Sequence, residues 1–330
     1  ARKVNKSTLH ASAFALFLGP LAFAADAAEV IGVAGRPSEA LWLVGSRGEV
    51  VKYSEGRWQR LDRGGAATLF LSAHGRGEKL WAMGTAAPPY FFDGRVWSPA
   101  RAGAGQAGFL GRGPAAGLAW GARVFVWQLG EWRPLPGPGS SVLALWTAAP
   151  DHVLVATDAG DLRRYRQGRW QALWVRRVDP SERFRAIFWT RGAVYVASDK
   201  GRLLRISDQN GVVPIALEVR LSDFAFEDAG GDTGLGGAVM GTALVHGQRR
   251  RVLAQFEIDT LVFLDYVPDL ADGDTPLALQ GDADGSLWVV GRRGGLLVRT
   301  PGGTWSRPAA IDFEHPSSSS HLPNPPAPLK

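Results

Sequence analysis

The sequence predicts an all-β fold, a seven-bladed β-propeller with four antiparallel strands in each blade. Three observations carry that prediction. A unit of about 40 residues recurs between residues 29 and 312, and each copy holds four short apolar runs split by Gly, Asp, Pro or Ser. Large side chains return at a fixed interval: Trp42 to Trp58, Trp81 to Trp97 and Leu154 to Trp170 are each 16 residues apart, and Trp288 to Trp305 is 17. The runs alternate with a period of two and are rich in β-branched and aromatic residues, which is the pattern of strands. With 42 glycines and 21 prolines scattered as turn residues, the 330-residue chain suits many short strands and no long helices.

Residues 1–28 read as a secretory signal peptide. Arg2, Lys3 and Lys6 form a positive start, an apolar stretch runs from Ala11 to Phe23, and two small-x-small cleavage patterns follow at Ala22-Phe23-Ala24 and Ala25-Asp26-Ala27. The apolar stretch falls short of the roughly 20 residues that span a bilayer. The mature chain is expected to begin near Ala25 or Ala28, to have no transmembrane segment, and to be periplasmic or extracellular.

The first blade, 29–64, reads EVIGVAG, ALWLVGS, EVVKYSE and RWQRLD as its runs a to d. The second, 66–101, reads TLFLSAHG, KLWAMGT, YFFDG and RVWSPA, and the third, 104–139, reads AGFLGRG, GLAWGA, RVFVWQLG and EWRPLP. VLALWTAAP, HVLVATD, DLRRYRQG and RWQALWV form the fourth, 141–177, and FRAIFWTRG, AVYVASD, GRLLRIS and VVPIALEV the fifth, 182–219. The sixth, 220–273, is irregular and longer, with SDFAFED, GAVMGTALVHG, RRRVLAQFEI and TLVFLDYVPD as its runs. PLALQGDADG, SLWVVGR, GGLLVRT and TWSRPAA complete the seventh, 276–312. A single blade cannot bury both of its faces, so neighbours must stack around an axis, with small residues on the crowded innermost run a. The ring is expected to close by apolar packing between blades 7 and 1, with no strand shared. The Ser- and Pro-rich segment 313–330 has no periodicity and reads as a disordered tail.

The segments DADGSLWVVGRRGGLLVRT (282–300) and LWLVGSRGEVVKY (41–53) resemble the repeat of two-component-regulator sensor propellers, D-x-x-G-x-LW-[IV]-G-T-x-x-G-L-x-[RK]-[YF]. The resemblance is good in the first, fourth, fifth and seventh copies and implies the propeller fold. No membrane helix or kinase module accompanies it, so the sensor role is not implied. VRTPGGTW (298–305) is similar to the Asp-box of sialidase-like propellers, with Thr300 where the Asp should stand.

The chain has no cysteine, which excludes a disulfide framework, a thiolate zinc site and a cysteine nucleophile. It carries neither a P-loop nor a Gly-x-Ser-x-Gly elbow. No catalytic residue, cofactor or metal is assigned. Asp282-Ala283-Asp284-Gly285 looks like half a calcium loop, but it lies where the repeat needs an a-to-b turn. Asp269, Asp272 and Asp274, and separately Asp228 and Asp232, read in the same way. His74, His152 and His246 are expected at turns of different blades. The formal charge of +6 comes from an arginine-heavy chain with no dense basic run, so nucleic acid is not an expected partner.

Most of the 13 tryptophans hold repeat positions on runs b and d, where packing between blades wants large rings. Trp42, Trp58, Trp81, Trp97, Trp170, Trp288 and Trp305 are therefore expected in the core. Trp146, Trp174 and Trp189 depart from that pattern and are the candidates for an exposed contact. In a propeller the b-to-c and d-to-a turns share one face, and the a-to-b and c-to-d turns share the other. That sorting puts Arg292 and Arg293 (blade 7), Arg47 and Arg63 (blade 1), Arg101 (blade 2) and Arg123 (blade 3) in one basic arc. Glu39, Glu55, Glu78, Asp93, Glu131, Asp151, Asp208, Asp282 and Asp284 fall on the opposite face.

The expected function is an exported, non-enzymatic scaffold or accessory subunit of an envelope or extracellular assembly, which binds another protein through the arc. Two alternatives stay open. One is a carbohydrate or anionic-polysaccharide binder that uses exposed Trp and Arg. The other is a glycoside hydrolase or lyase working at the channel mouth with carboxylates paired across blades.

Overall fold

The computed structural model describes residues 28–61, 70–84, 89–100, 108–173, 179–190, 193–206, 211–215, 224–233, 236–257, 260–308 and 311. They form seven four-stranded sheets, at 30–61, 70–99, 109–134, 142–173, 184–215, 225–266 and 276–306. In each sheet the strands lie side by side in chain order, a to d, and every neighbouring pair is antiparallel. The chain is a seven-bladed β-propeller. The signal-peptide reading (1–27) and the tail (313–330) lie outside the described residues. Among the described residues, no helix is long and apolar enough to cross a membrane.

The physical reason for the fold is visible in strand b of blade 1, Ala40–Gly45, which is buried at every position. Its side chains alternate between two seams. Leu41 and Leu43 pack towards blade 7, whereas Ala40, Trp42 and Val44 pack towards blade 2. A strand buried on both faces reads as a continuous apolar run. The core is accordingly divided: seven apolar clusters of described residues lie one in each seam between neighbouring blades. Of the expected core tryptophans, Trp42, Trp58, Trp81 and Trp288 are buried, while Trp97, Trp170 and Trp305 are half-buried and packed against these clusters.

Blades 7 and 1 meet without sharing a strand, because each sheet is completed by its own consecutive strands. Trp288, Val290 and Leu296 of blade 7 pack on Val30, Leu41, Leu43 and Val51 of blade 1, with the Tyr53 and Trp288 rings 5.2 Å apart. One backbone bond crosses the seam, from the Val30 N–H to the Arg292 carbonyl at 2.6 Å.

Four blades use the same b-to-c turn. Gly48, Gly160, Gly201 and Gly294 donate their N–H groups three residues back, to Gly45, Thr157, Ser198 and Gly291, at 2.9–3.2 Å. All four glycines have φ between 80° and 87°, a left-handed geometry that only glycine adopts without cost.

Blade 3 departs from the repeat. Of the run AGFLGRG, Phe109–Leu110 pairs with its own strand b, and the Gly111 N–H donates to Gly117 O there at 2.8 Å. The chain then crosses to the innermost strand of blade 4 (Val142–Ala149). There Arg112 N–H donates to Leu145 O, Thr147 N–H to Arg112 O and Ala115 N–H to Thr147 O, at 2.9–3.0 Å, in a parallel bridge. Glycines permit the approach. A Cβ on Gly111 would lie 2.8 Å from the Leu145 carbonyl oxygen, and one on Gly113 would lie 2.3 Å from that of Thr147.

Candidate functional site

The ends of the innermost strands converge on the ring axis, and all seven blades line a vestibule of about 380 Å³ on the a-to-b face. Small residues, including Ala34, Ala73, Gly111, Ala229 and Gly281, make up part of its walls. Two chemically distinct groups stand on those walls. Arg36, Arg76 and Arg112 come from three consecutive blades, and Trp146, Phe188 and Trp189 come from the next two. Glu39 is the one acidic side chain in the described lining and shares a hairpin with Arg36. Gln280 adds an amide from blade 7.

The three arginines occupy equivalent places. Each follows a glycine at the end of run a, as Gly35-Arg36, Gly75-Arg76 and Gly111-Arg112. Arg76 is exposed and Arg36 half-buried. Arg112 reaches across the axis. Its Nη2 donates to Asp228 Oδ1 of blade 6 at 2.5 Å, and its Nη1 donates to the Ala229 carbonyl. Asp228 Oδ2 accepts the Leu279 N–H of blade 7 at 2.8 Å, so three blades are tied at one carboxylate. The Asp228 side chain is 11% exposed and that of Arg112 41%.

This crossbar separates the a-to-b vestibule from a second one of about 390 Å³ towards the b-to-c face. In that second mouth each carboxylate meets a guanidinium: Arg112–Asp228, Arg185–Asp199 at 3.3 Å and Arg251–Glu227 at 2.8 Å. Matched pairs of this kind leave little net charge there.

His74 lies within the innermost strand of blade 2 (Phe70–Arg76), not at a turn as the sequence reading expected. Its Nδ1 donates to the Gly111 carbonyl at 2.8 Å, and a carbonyl can only accept, so Nδ1 carries the proton. The residue lines the vestibule. Burial by the converging strands still dominates and pushes its pKa down to about 4, partly offset by the Gly111 hydrogen bond.

Several other sequence expectations can be placed. Trp146 is corrected: it is 4% exposed, in the seam between blades 4 and 5. The bridge from blade 3 lies against its strand, and only an edge of the residue reaches the vestibule. Trp189 is 39% exposed and lines the vestibule. Trp174, Arg63, Arg101 and Asp208 lie outside the described residues. Arg47, Arg292 and Arg293 are exposed on the b-to-c turns of blades 1 and 7, which the Val30–Arg292 backbone bond brings together. Arg123 stands apart on blade 3, its guanidinium 5.2 Å from the centre of the Trp120 ring.

That face is mixed in sign, because the connection into blade 7 carries exposed Asp269 and Asp272 beside the arginine turn. Asp274, in the same connection, is buried. It accepts the N–H groups of Thr275, Arg293 and Gly295 at 2.7–3.0 Å and so holds the turn that bears Arg292 and Arg293. Asp282 accepts the backbone N–H groups of Ser38 and Ala283, and Asp284 that of Ser286, as turn carboxylates do. Thr300 does the same with its hydroxyl, accepting the Thr304 N–H at 3.2 Å across the hairpin that resembles an Asp-box.

No family model and no curated protein matches the sequence. The fold matches many solved propellers. The extracellular domain of the putative hybrid two-component system BT4673 from B. thetaiotaomicron superposes with a TM-score of 0.60 at 11% identity. The match covers 83% of this chain and 38% of that longer one. Sqt1 of Saccharomyces cerevisiae gives 0.58 at 12% identity, covering 85% of this chain and 84% of that one. YCF48 bound to D1 peptide gives 0.57 at 16% identity, covering 83% and 92%. At such identities the likeness is one of fold.

Proposed function

We propose that this propeller is an exported, non-enzymatic scaffold that binds protein partners, and that the a-to-b vestibule is its principal contact. One observation carries the reading. Three Gly-Arg pairs set cations on one side of a concave, seven-walled pocket, across from the exposed Trp189 of blade 5. A recess on a rigid frame that joins apolar surface to a few convergent polar groups is the usual form of a recognition site. A solved propeller of the same build holds a peptide, which supports a protein ligand. Export is supported by the pattern of residues 1–28, and the basic residues Arg47, Arg292 and Arg293 offer a secondary surface on the opposite face.

The test is a pull-down from envelope extract with three proteins: wild type, Arg76→Ala/Trp189→Ala in the vestibule, and Arg47→Ala/Arg292→Ala on the opposite face. Wild type and the Arg47/Arg292 variant should capture the same partners, and the vestibule variant should lose them. Capture unchanged by the vestibule substitutions would refute the assignment. Exposed Trp189 across the vestibule from Arg76 also suits an anionic polysaccharide. Retardation on such a polymer, lost in the vestibule variant and accompanied by no protein capture, would favour that second reading.

A further inference from the structure

We infer that the vestibule receives the C-terminal end of a partner polypeptide, its terminal carboxylate on Arg112 and its last side chain against the Trp189 wall. The inference rests on the protein-binding reading above and deepens it.

The crossbar is the first reason. Arg112 spans from blade 3 to Asp228 and Ala229 on blade 6, nearly opposite in the ring, and lines the cavities on both sides of itself. A chain entering from the a-to-b face therefore meets the Arg112 side chain across its path. A well barred in this way suits an end, whereas an internal loop would need room to turn.

The second reason is the chemistry of the crossbar. A guanidinium has five N–H donors in a fixed fork. Asp228 and the Ala229 carbonyl take one each from Nη2 and Nη1, two of the five donors, and the side chain remains 41% exposed. A terminal carboxylate has two oxygens and can accept from such a fork in parallel. Gly111 and Gly113 flank Arg112 and, packed against Leu145 and Thr147 of blade 4, fix its backbone in the wall of the well. The small residues along the walls give the main chain a way down.

The third reason is the asymmetry of the rim. Arg36 and Arg76 stand on blades 1 and 2, so they favour an acidic residue just before the end of the ligand. Exposed Trp189 stands on blade 5 and favours an apolar or aromatic last side chain.

The test uses the whole protein and fluorescein-labelled hexapeptides degenerate at their last three positions. One pool is made as free acids and the other as C-terminal amides, and binding is read by fluorescence polarisation. The free-acid pool should bind at least tenfold more tightly, with an acidic residue enriched before an apolar or aromatic last one. Arg112→Gln should abolish the difference between acid and amide. Trp189→Ala, which cuts no tie between blades, should lose the preference for the last side chain and keep the preference for the acid. Equal binding of the two pools, weakened alike by Arg76→Ala, would overturn the C-terminal inference and leave the protein-binding reading standing. Failure of both pools to bind would also overturn it, and the pull-down above would then judge the broader reading separately.

Discussion

The Arg112–Asp228 crossbar makes a quantitative prediction. Replacing Arg112 by Met removes the charge and retains much of the side-chain volume. Replacing Asp228 by Asn retains an oxygen for the Leu279 N–H, which the carboxylate now accepts at 2.8 Å. At the effective dielectric of partly buried protein sites, opposite charges about 4 Å apart attract by about 4 kcal/mol. Desolvation removes much of that, and the 41% exposure of the Arg112 side chain screens more, although Asp228 is only 11% exposed. The net value should be that of a charge-assisted hydrogen bond, about 1.5–2 kcal/mol. Each single substitution should then cost about 2 kcal/mol, and the double variant should cost less than their sum by about 1.5 kcal/mol. In a ring of this size that coupling corresponds to roughly 2–3 °C in Tm. Urea unfolding followed by tryptophan fluorescence gives the four corners of the cycle. The exposed pair Arg133–Glu131, with side chains 46% and 59% exposed, serves as a control and should couple by no more than about 0.5 kcal/mol. A crossbar coupling as small as that of the control would show that the tie contributes nothing to the ring.

Other perturbations probe the packing. In Gly111→Ala the new Cβ would lie 2.5 Å from Leu145 Cγ and 2.8 Å from the Leu145 carbonyl, so unfolding experiments should show a loss of about 2–4 kcal/mol. Gly302→Ala, whose nearest neighbour would be 3.8 Å away, should stay within about 0.5 kcal/mol of wild type. Trp288→Ala empties the closing seam between blades 7 and 1 and should cost about 3–5 kcal/mol, as should Trp81→Ala between blades 2 and 3; a negligible loss at Trp288 would mean that apolar packing does not close the ring. His74 sets a pH dependence. Its folded pKa of about 4 lies below the unfolded 6.5, so within that window the unfolded chain binds the proton first. Its contribution is full above pH 6.5 and is lost as pH falls towards 4, by at most about 3 kcal/mol. His74→Gln should flatten that part of a stability–pH curve, and an unchanged curve would contradict the burial argument.

The legible part of the sequence has a structural signature. The copies that most resemble the repeat, blades 1, 4, 5 and 7, all have the shared glycine b-to-c turn, at Gly48, Gly160, Gly201 and Gly294. A turn that needs a left-handed residue leaves its mark in any sequence, and the apolar runs on either side then align themselves. Blade 3 was the least transparent, because AGFLGRG looks like a strand that pairs within its own sheet. Its glycines serve another purpose, the approach of residues 111–113 to blade 4, and that contact depends on a neighbour about 30 residues away.

The same non-local fact explains Trp146. Its departure from the b and d positions suggested exposure, yet an innermost strand covered by Ala144, Leu154, Phe184 and Ile187 keeps the ring in the seam. The vestibule was written in the sequence as Gly-Arg at the end of three successive runs a. Reading it required knowing that these ends converge, which is a property of the closed ring and of no single blade. Nor did any local pattern join Arg112 to Asp228, 116 residues apart.

Each sheet is assembled from one uninterrupted stretch of chain, so no blade depends on a strand lent from afar. The starting point of such a ring is arbitrary. Joining blade 7 to blade 1 and opening the polypeptide in another d-to-a connection would preserve all seven sheets. The seam between blades 3 and 4 stands apart from the rest. A permutant opened there would close through the parallel backbone bonds of residues 112–115 as well as through side-chain packing. It would be a circle fastened by a clasp, where the natural order relies chiefly on the fit of its edges.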